Sequence, residues 1–189
     1  DYPREDHRHG IIHDCLPTPE GIQICRDYHI QMPMQSAFIG WKQEPDDYLE
    51  HILGHDRLEK LNPIRTFRDN NIVVSFGSDA PCTTPDPIAW MDRAVNNDNA
   101  GQAVSVQDAL RMCTYNGAWA AFDEQERGSL EAGKIADMAV LSENPYTVPK
   151  DKIKDIRVER LYLSGKSYES CRESILPMML RGLTSRNKA

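Results

Sequence analysis

Asn71-Ile72-Val73-Val74-Ser75-Phe76-Gly77-Ser78-Asp79-Ala80-Pro81 is the stretch on which the fold turns. Ile72 to Phe76 are apolar or small and rich in β-branched side chains. Such a short continuous run suits a buried strand of a parallel sheet covered on both faces. The run stops at Gly77, and Pro81, Pro85 and Pro87 forbid its continuation. Asp79 is therefore set at the C-terminal lip of a buried strand. Barrels and open sheets of the α/β class carry their chemistry at that lip. The competing reading is that Asp79 only caps a turn before the next helix, a common place for aspartate.

Outward from this strand the wiring repeats. Arg8 to Asp14 reads as a short strand ending in polar residues. Thr18-Pro19-Glu20-Gly21 opens a helix, with Thr18 as N-cap and Pro19 in the first turn. His29 to Ala37 reads as a second strand made irregular by Pro33. Asp46-Asp47 reads as the cap of a helix through Leu53, and a further helix spans about Asn62 to Asn70. Strand, helix, strand, helices, strand is βα wiring, which implies a parallel sheet.

After the opening strand, Asp86 to Asn96 is a helical pattern. Ser105-Val106-Gln107-Asp108 is a capping box for the next helix. Asn116-Gly117 is expected to interrupt it. From Gly128 the texture becomes turn-rich and strand-like. Gly128 to Lys134 carries a hairpin signal, Ala136 to Leu141 a strand, and Arg157 to Glu169 a second hairpin. Residues 171 to 189 read as a docking helix and a polar tail.

The totals exclude several classes. The chain has 189 residues and a formal net charge of −7. That charge argues against phosphate-backbone binding, which needs a basic patch. No run of apolar residues approaches a membrane span. Cys15, Cys25, Cys82, Cys113 and Cys171 are widely spaced and form no Cys-x-x-Cys pair. Reduced thiols in a cytoplasmic protein are expected. Opening on Asp1 and entering a strand almost at once, the chain reads as a piece of a longer product.

The lip residues carry the chemistry. His13 ends the first strand, Gln35 and Ser36 the second, and Asp79 the third. In a parallel sheet these ends converge on one face. Imidazole and carboxylate together suit a shared divalent metal, or an acid–base pair without one. Trp41 follows the second strand on the same face and is a candidate for lining a substrate pocket, with Gln35. Cys82 either touches the site or simply packs. His29, His51 and His55 read as structural or surface residues, and Trp90 and Trp119 as core.

Ile64 to Pro81, followed by Pro85-Asp86-Pro87, resembles the amidohydrolase superfamily, in particular the branch of N-substituted formamide deformylases. Three further stretches agree with it. Arg8 to His13 is similar to the sixth barrel strand, with its metal-binding histidine. Ser105 to Phe122 is similar to the helix pair after the eighth strand. Gly128 to Asp137 is similar to the hairpin leading into a β-sandwich. The resemblance covers roughly residues 8 to 169.

It implies an α/β fold: the C-terminal portion of a distorted TIM barrel (sixth to eighth βα units) with a small appended β-sandwich part. Residues 1–124 would be the barrel part, 125–170 the sandwich part, and 171–189 a terminal helix and tail. It makes Asp79 the eighth-strand aspartate, both metal ligand and base, and His13 the sixth-strand ligand. The implied cofactor is one or two divalent ions, zinc first. The implied reaction is hydrolysis of an amide or cyclic amide C–N bond. The implied partners are a small amide-type substrate and the missing N-terminal part of the same protein. A homodimer is a further option, with no nucleic acid and no membrane. The family's His-x-His pair, its bridging residue and its fifth-strand histidine have no counterpart here, so the isolated chain is expected to be inactive. The alternative is a non-catalytic binding module on the same scaffold.

Overall fold

A computed structural model of the chain describes residues 4–168. At its centre are three parallel segments. β1 (Met32–Met34) lies between the stretch His9 to His13 on one side and β2 (Val74–Phe76) on the other. β1 pairs with β2 in the register Met32 to Val74 and Met34 to Phe76. On its other edge Gln31 donates to His9 and accepts from Ile11, and the Pro33 carbonyl accepts from His13. Pro33 has no N–H to give to Ile11, so the ladder there is incomplete and reduces to a bridge between Gly10 and Gln31. The expected strand from His29 to Ala37 is shorter than its apolar pattern, bounded by left-handed backbone at His29 and by a 3-10 turn from Ser36 to Phe38.

Helices cover this sheet. α1 (Pro19–Asp27) begins as expected, with the Thr18 hydroxyl accepting from the Gly21 N–H. α2 (Asp46–Leu53) and α3 (His55–Leu58) follow β1 and bury none of their residues. Asp46 and Asp47 lie in the first turn of α2, and the N-cap is Pro45. The acidic pair therefore complements the helix dipole and does not cap. α4 (Ile64–Asp69) leads into β2, and α5 (Pro87–Val95) leaves it, with Asp86 accepting from the N–H groups of Ile88 and Ala89.

α6 (Val106–Cys113) starts at Ser105, whose hydroxyl accepts from the Asp108 N–H and donates to its carboxylate. The helix breaks at Thr114, whose backbone leaves the helical region, and α7 (Tyr115–Ala120) contains Asn116-Gly117 in its interior. The break thus falls two residues before the expected Asn116-Gly117, and Asn116 has another task. Its side-chain amide donates to the Val74 carbonyl at 2.7 Å, fastening α7 to β2.

Met32, Met34, Ile64, Phe67, Val74, Met91, Ala109 and Met112 form the heart of the core. Gly128 to Lys134 is a turn and not a strand pair. β3 (Met138–Leu141), β4 (Val158–Leu163) and β5 (Lys166–Tyr168) form a three-stranded antiparallel sheet. Ser164 and Gly165, both at positive φ, make the two-residue turn between the last two strands. Between β3 and β4 a short 3-10 helix carries Ile153 and Ile156 into the main core. The expected terminal helix lies outside the described residues. No helix among the described residues is long and apolar enough to cross a membrane.

Candidate active site

Because the three central segments run parallel, their C-terminal ends share one edge of the sheet. His13, Gln35 and Asp79 stand at or just beyond those ends. The strand order places Gln35 on the central segment and the other two on the outer ones. Adjacent strands are about 4.8 Å apart, so the outer backbones are separated by roughly twice that. Their side chains nevertheless meet: His13 Nε2 is 3.7 Å from Asp79 Oδ2.

Local backbone makes the meeting possible. His13 and Asp79 both adopt left-handed backbone, at φ +73° and +52°. Such conformations are uncommon for residues other than glycine and lift the side chain out of the strand's alternation. Each is held by its neighbours. The His13 N–H donates to the Pro33 carbonyl and the Asp14 N–H to Ile12. Beyond β2, the Cys82 N–H donates to the Asp79 carbonyl at 2.9 Å and the Ala80 N–H to the Ser78 hydroxyl at 3.1 Å. The Thr83 hydroxyl closes the same turn on the Ser78 carbonyl.

The two side chains are 42% and 46% exposed, so the pair opens to solvent. At 3.7 Å they are not hydrogen-bonded to each other. Two donors each about 2 Å from one tetrahedral ion stand roughly 3.3 Å apart, and the observed gap is close to that. The pair fits two positions of a zinc-type site. Among the described residues, no group of three or more His, Cys, Asp and Glu side chains converges on one point.

Gln35, just beyond the central strand, is buried. Among the described residues its Oε1 meets no hydrogen-bond partner, and an added Cβ at Gly77 would lie 3.9 Å from its Nε2. Trp41 packs on Phe38 with ring centroids 4.9 Å apart, and Phe38 stacks on His13 at 5.7 Å. The sequence marks His13, Gln35, Trp41 and Asp79 as candidates and gives no mark to Phe38. A phenylalanine in a short irregular segment gives no periodic signal; its spacing of three from Trp41 was the only hint. Asp14 stands next to His13, and burial pushes its carboxyl up from the usual range. Cys82 is exposed three residues beyond Asp79. A cavity of about 310 Å³ lies at the opposite end of the strands, lined by Arg8, His29, Gln31 and Asn71 among others. It is remote from the pair.

A family model described as the amidohydrolase family matches residues 1–168. The chain belongs to the amidohydrolase family. It is 32% identical over 152 residues to an N-substituted formamide deformylase of Arthrobacter pascens, covering 77% of this chain and 26% of that protein. An uncharacterized metal-dependent hydrolase from Pyrococcus horikoshii OT3 superposes with a TM-score of 0.66 at 22% identity, over 76% of this chain and 30% of its own. An adenosine deaminase from Xanthomonas campestris, solved with bound zinc, superposes with a TM-score of 0.62 at 16% identity, over 94% of this chain and 41% of its own. This amidohydrolase chain thus shares its α/β fold with metal-dependent hydrolases. It spans a third or less of the length of the curated relatives it matches.

Proposed function

We propose that the protein is a metal-dependent hydrolase of a carbon–nitrogen bond in an amide or cyclic amide. In this reading the chain supplies the sixth to eighth βα units of a distorted TIM barrel and part of a β-sandwich. Residues 1–124 belong to the barrel and 125–170 to the sandwich. The remaining barrel strands and metal ligands come from another part of the same protein, and the 189-residue chain alone is inactive. The observation that carries this reading is the meeting of His13 Nε2 and Asp79 Oδ2 at 3.7 Å, from strands that are not neighbours. Family membership and the deformylase relative support the choice of bond.

His13 and Asp79 would hold a divalent ion, zinc first, through imidazole Nε2 and carboxylate Oδ2. When bound, such an ion supplies acidity to water and polarises a carbonyl oxygen. The residues of this chain do the rest. A free Asp79 oxygen accepts a proton from the attacking water as its oxygen bonds to the carbonyl carbon. Asp79 then returns that proton to the substrate nitrogen as the C–N bond breaks, leaving acid and amine. Gln35 and Trp41 border the space in which the amide and its substituents would lie.

The test is removal and return of metal. The full natural protein, stripped by a chelator, should lose hydrolysis of N-acyl amines and recover it with zinc. Activity that persists in verified metal-free protein would sink the proposal. The second reading is a non-catalytic binding module, favoured by the convergence of only two donors among the described residues. Zinc content of the intact protein separates the two: about one ion or more per molecule supports the hydrolase, and none supports the module.

A further inference from the structure

Metal-binding histidines usually donate their second ring nitrogen to a carboxylate or carbonyl, which sets the ring's plane and tautomer. Among the described residues the His13 ring makes no hydrogen bond, and its only charged contact is Asp79. What it does touch is Phe38. The two rings are nearly parallel, 18° apart, with centroids separated by 5.7 Å. Left-handed backbone at residue 13 leaves the ring free of the strand's packing, so an outside surface has to set its plane.

Phe38 is well placed to be that surface. It ends a 3-10 turn (Ser36–Phe38) directly after the central strand. The turn is anchored from below. Ser36 is fully buried and its hydroxyl donates to the Trp90 carbonyl of α5 at 2.9 Å. The Phe38 N–H donates to Gln35, and Ile39, the next residue, is buried in the core. Trp41 packs on Phe38, tilted by 34°, and its N–H donates to the Phe38 carbonyl. The aromatic ring is thus fixed to the scaffold before it meets the histidine.

We propose that Phe38 is a positioning residue that orients His13 toward Asp79 by stacking. This rests on the reading of His13 and Asp79 as a metal-binding pair. An offset stacked contact between flat rings is favourable and directional. It restrains the tilt of the imidazole while leaving rotation within its own plane to be settled by what Nε2 binds.

The test uses the full natural protein as Phe38→Leu and Phe38→Tyr, with His13→Ala as reference. Zinc affinity is measured by competition with a chromophoric chelator, and crystal structures of the metal-free proteins report the His13 ring. Phe38→Leu should weaken zinc binding by about 10- to 100-fold, the range for lost ligand orientation, and turn His13 away from Asp79. Phe38→Tyr should keep affinity within about twofold, because the stacking face is retained. An unchanged His13 ring and unchanged affinity in Phe38→Leu would overturn the proposal while His13→Ala still loses zinc, leaving the metal pair intact. If His13→Ala binds zinc as well as the parent does, the metal pair itself is wrong and the role of Phe38 falls with it.

Discussion

At position 79 the carboxylate stands nearly half exposed and makes no side-chain hydrogen bond among the described residues. Removing its charge should therefore disturb the fold little. Asp79→Asn is expected to shift stability by no more than about 0.5 kcal/mol, as for surface changes in general. Its effect on rate should be far larger, a fall in kcat of about 10²- to 10⁴-fold, because a base and a ligand are lost together. Thermal melting and steady-state kinetics on the full protein check both halves; an unchanged kcat would remove Asp79 from the chemistry. Trp41→Leu should behave differently. It removes a wall and no reacting group, so KM should rise several-fold with kcat kept, a pattern of uniform binding loss. That His13 and Asp79 meet was legible because polar residues directly after apolar runs stand out, and parallel wiring sends such ends to one edge. Phe38 was not legible, since its role depends on where a three-residue turn places one ring, and no pattern in the chain encodes that.

Among the elements, the turn from Gly128 to Lys134 shows how packing decides what a glycine is for. Gly128 and Gly133 both have left-handed backbone, at φ +87° and +95°. A side chain there costs about 1–2 kcal/mol in either case. The surroundings differ. A Cβ on Gly128 would lie 2.6 Å from the Ala118 Cβ and 3.1 Å from the Tyr115 Cα, both in α7, whereas one on Gly133 would meet nothing within 4 Å. Gly128→Ala should thus destabilise by roughly 1–3 kcal/mol more than Gly133→Ala, the usual overpacking penalty. Urea unfolding of the two variants measures the difference, and equal losses would mean that α7 yields to the added methyl. The sequence revealed that this stretch turns, and the order of nearly every helix and strand, because caps and apolar periods are local signals. It misplaced what depends on distant partners. Pro33 interrupts its ladder as its missing N–H implies, but Asn116 serves as a bracket to β2 where its local sequence suggests a break.

Across the whole molecule, the first and last parts of the α/β layer are joined by one charged clamp. Arg8, at the start of the first central segment, makes two hydrogen bonds of 2.8 Å to Glu124, just beyond α7. Its guanidinium also lies over the rings of Trp119 and Phe122, at 4.4 and 4.1 Å, and pairs with Asp6. The Arg8 and Glu124 side chains are only 7% and 12% exposed, so solvent screens this pair less than a surface bridge. Nothing local in the sequence announces a partnership between residues 116 apart. Its signature is acid sensitivity. The hydrogen bonds from Arg8 hold the Glu124 carboxyl down at about 2, from an ordinary 4.5. A carboxyl lowered on folding adds stability that is fully present above its unfolded pKa. That stability is lost as pH falls through the folded value, because the unfolded chain takes up the proton first. The contribution should therefore be complete at pH 5 and above, and drain away between about pH 4.5 and 2. Glu124→Gln cannot titrate. It should be less stable than the parent near neutral pH, with Arg8 left short of its partner, and the gap should narrow steadily through the acid window. Denaturant midpoints of both proteins from pH 7 down to the lowest pH at which the fold persists would show it. A gap that stays constant with pH would mean that Glu124 titrates normally and that the clamp is held by its aromatic contacts instead.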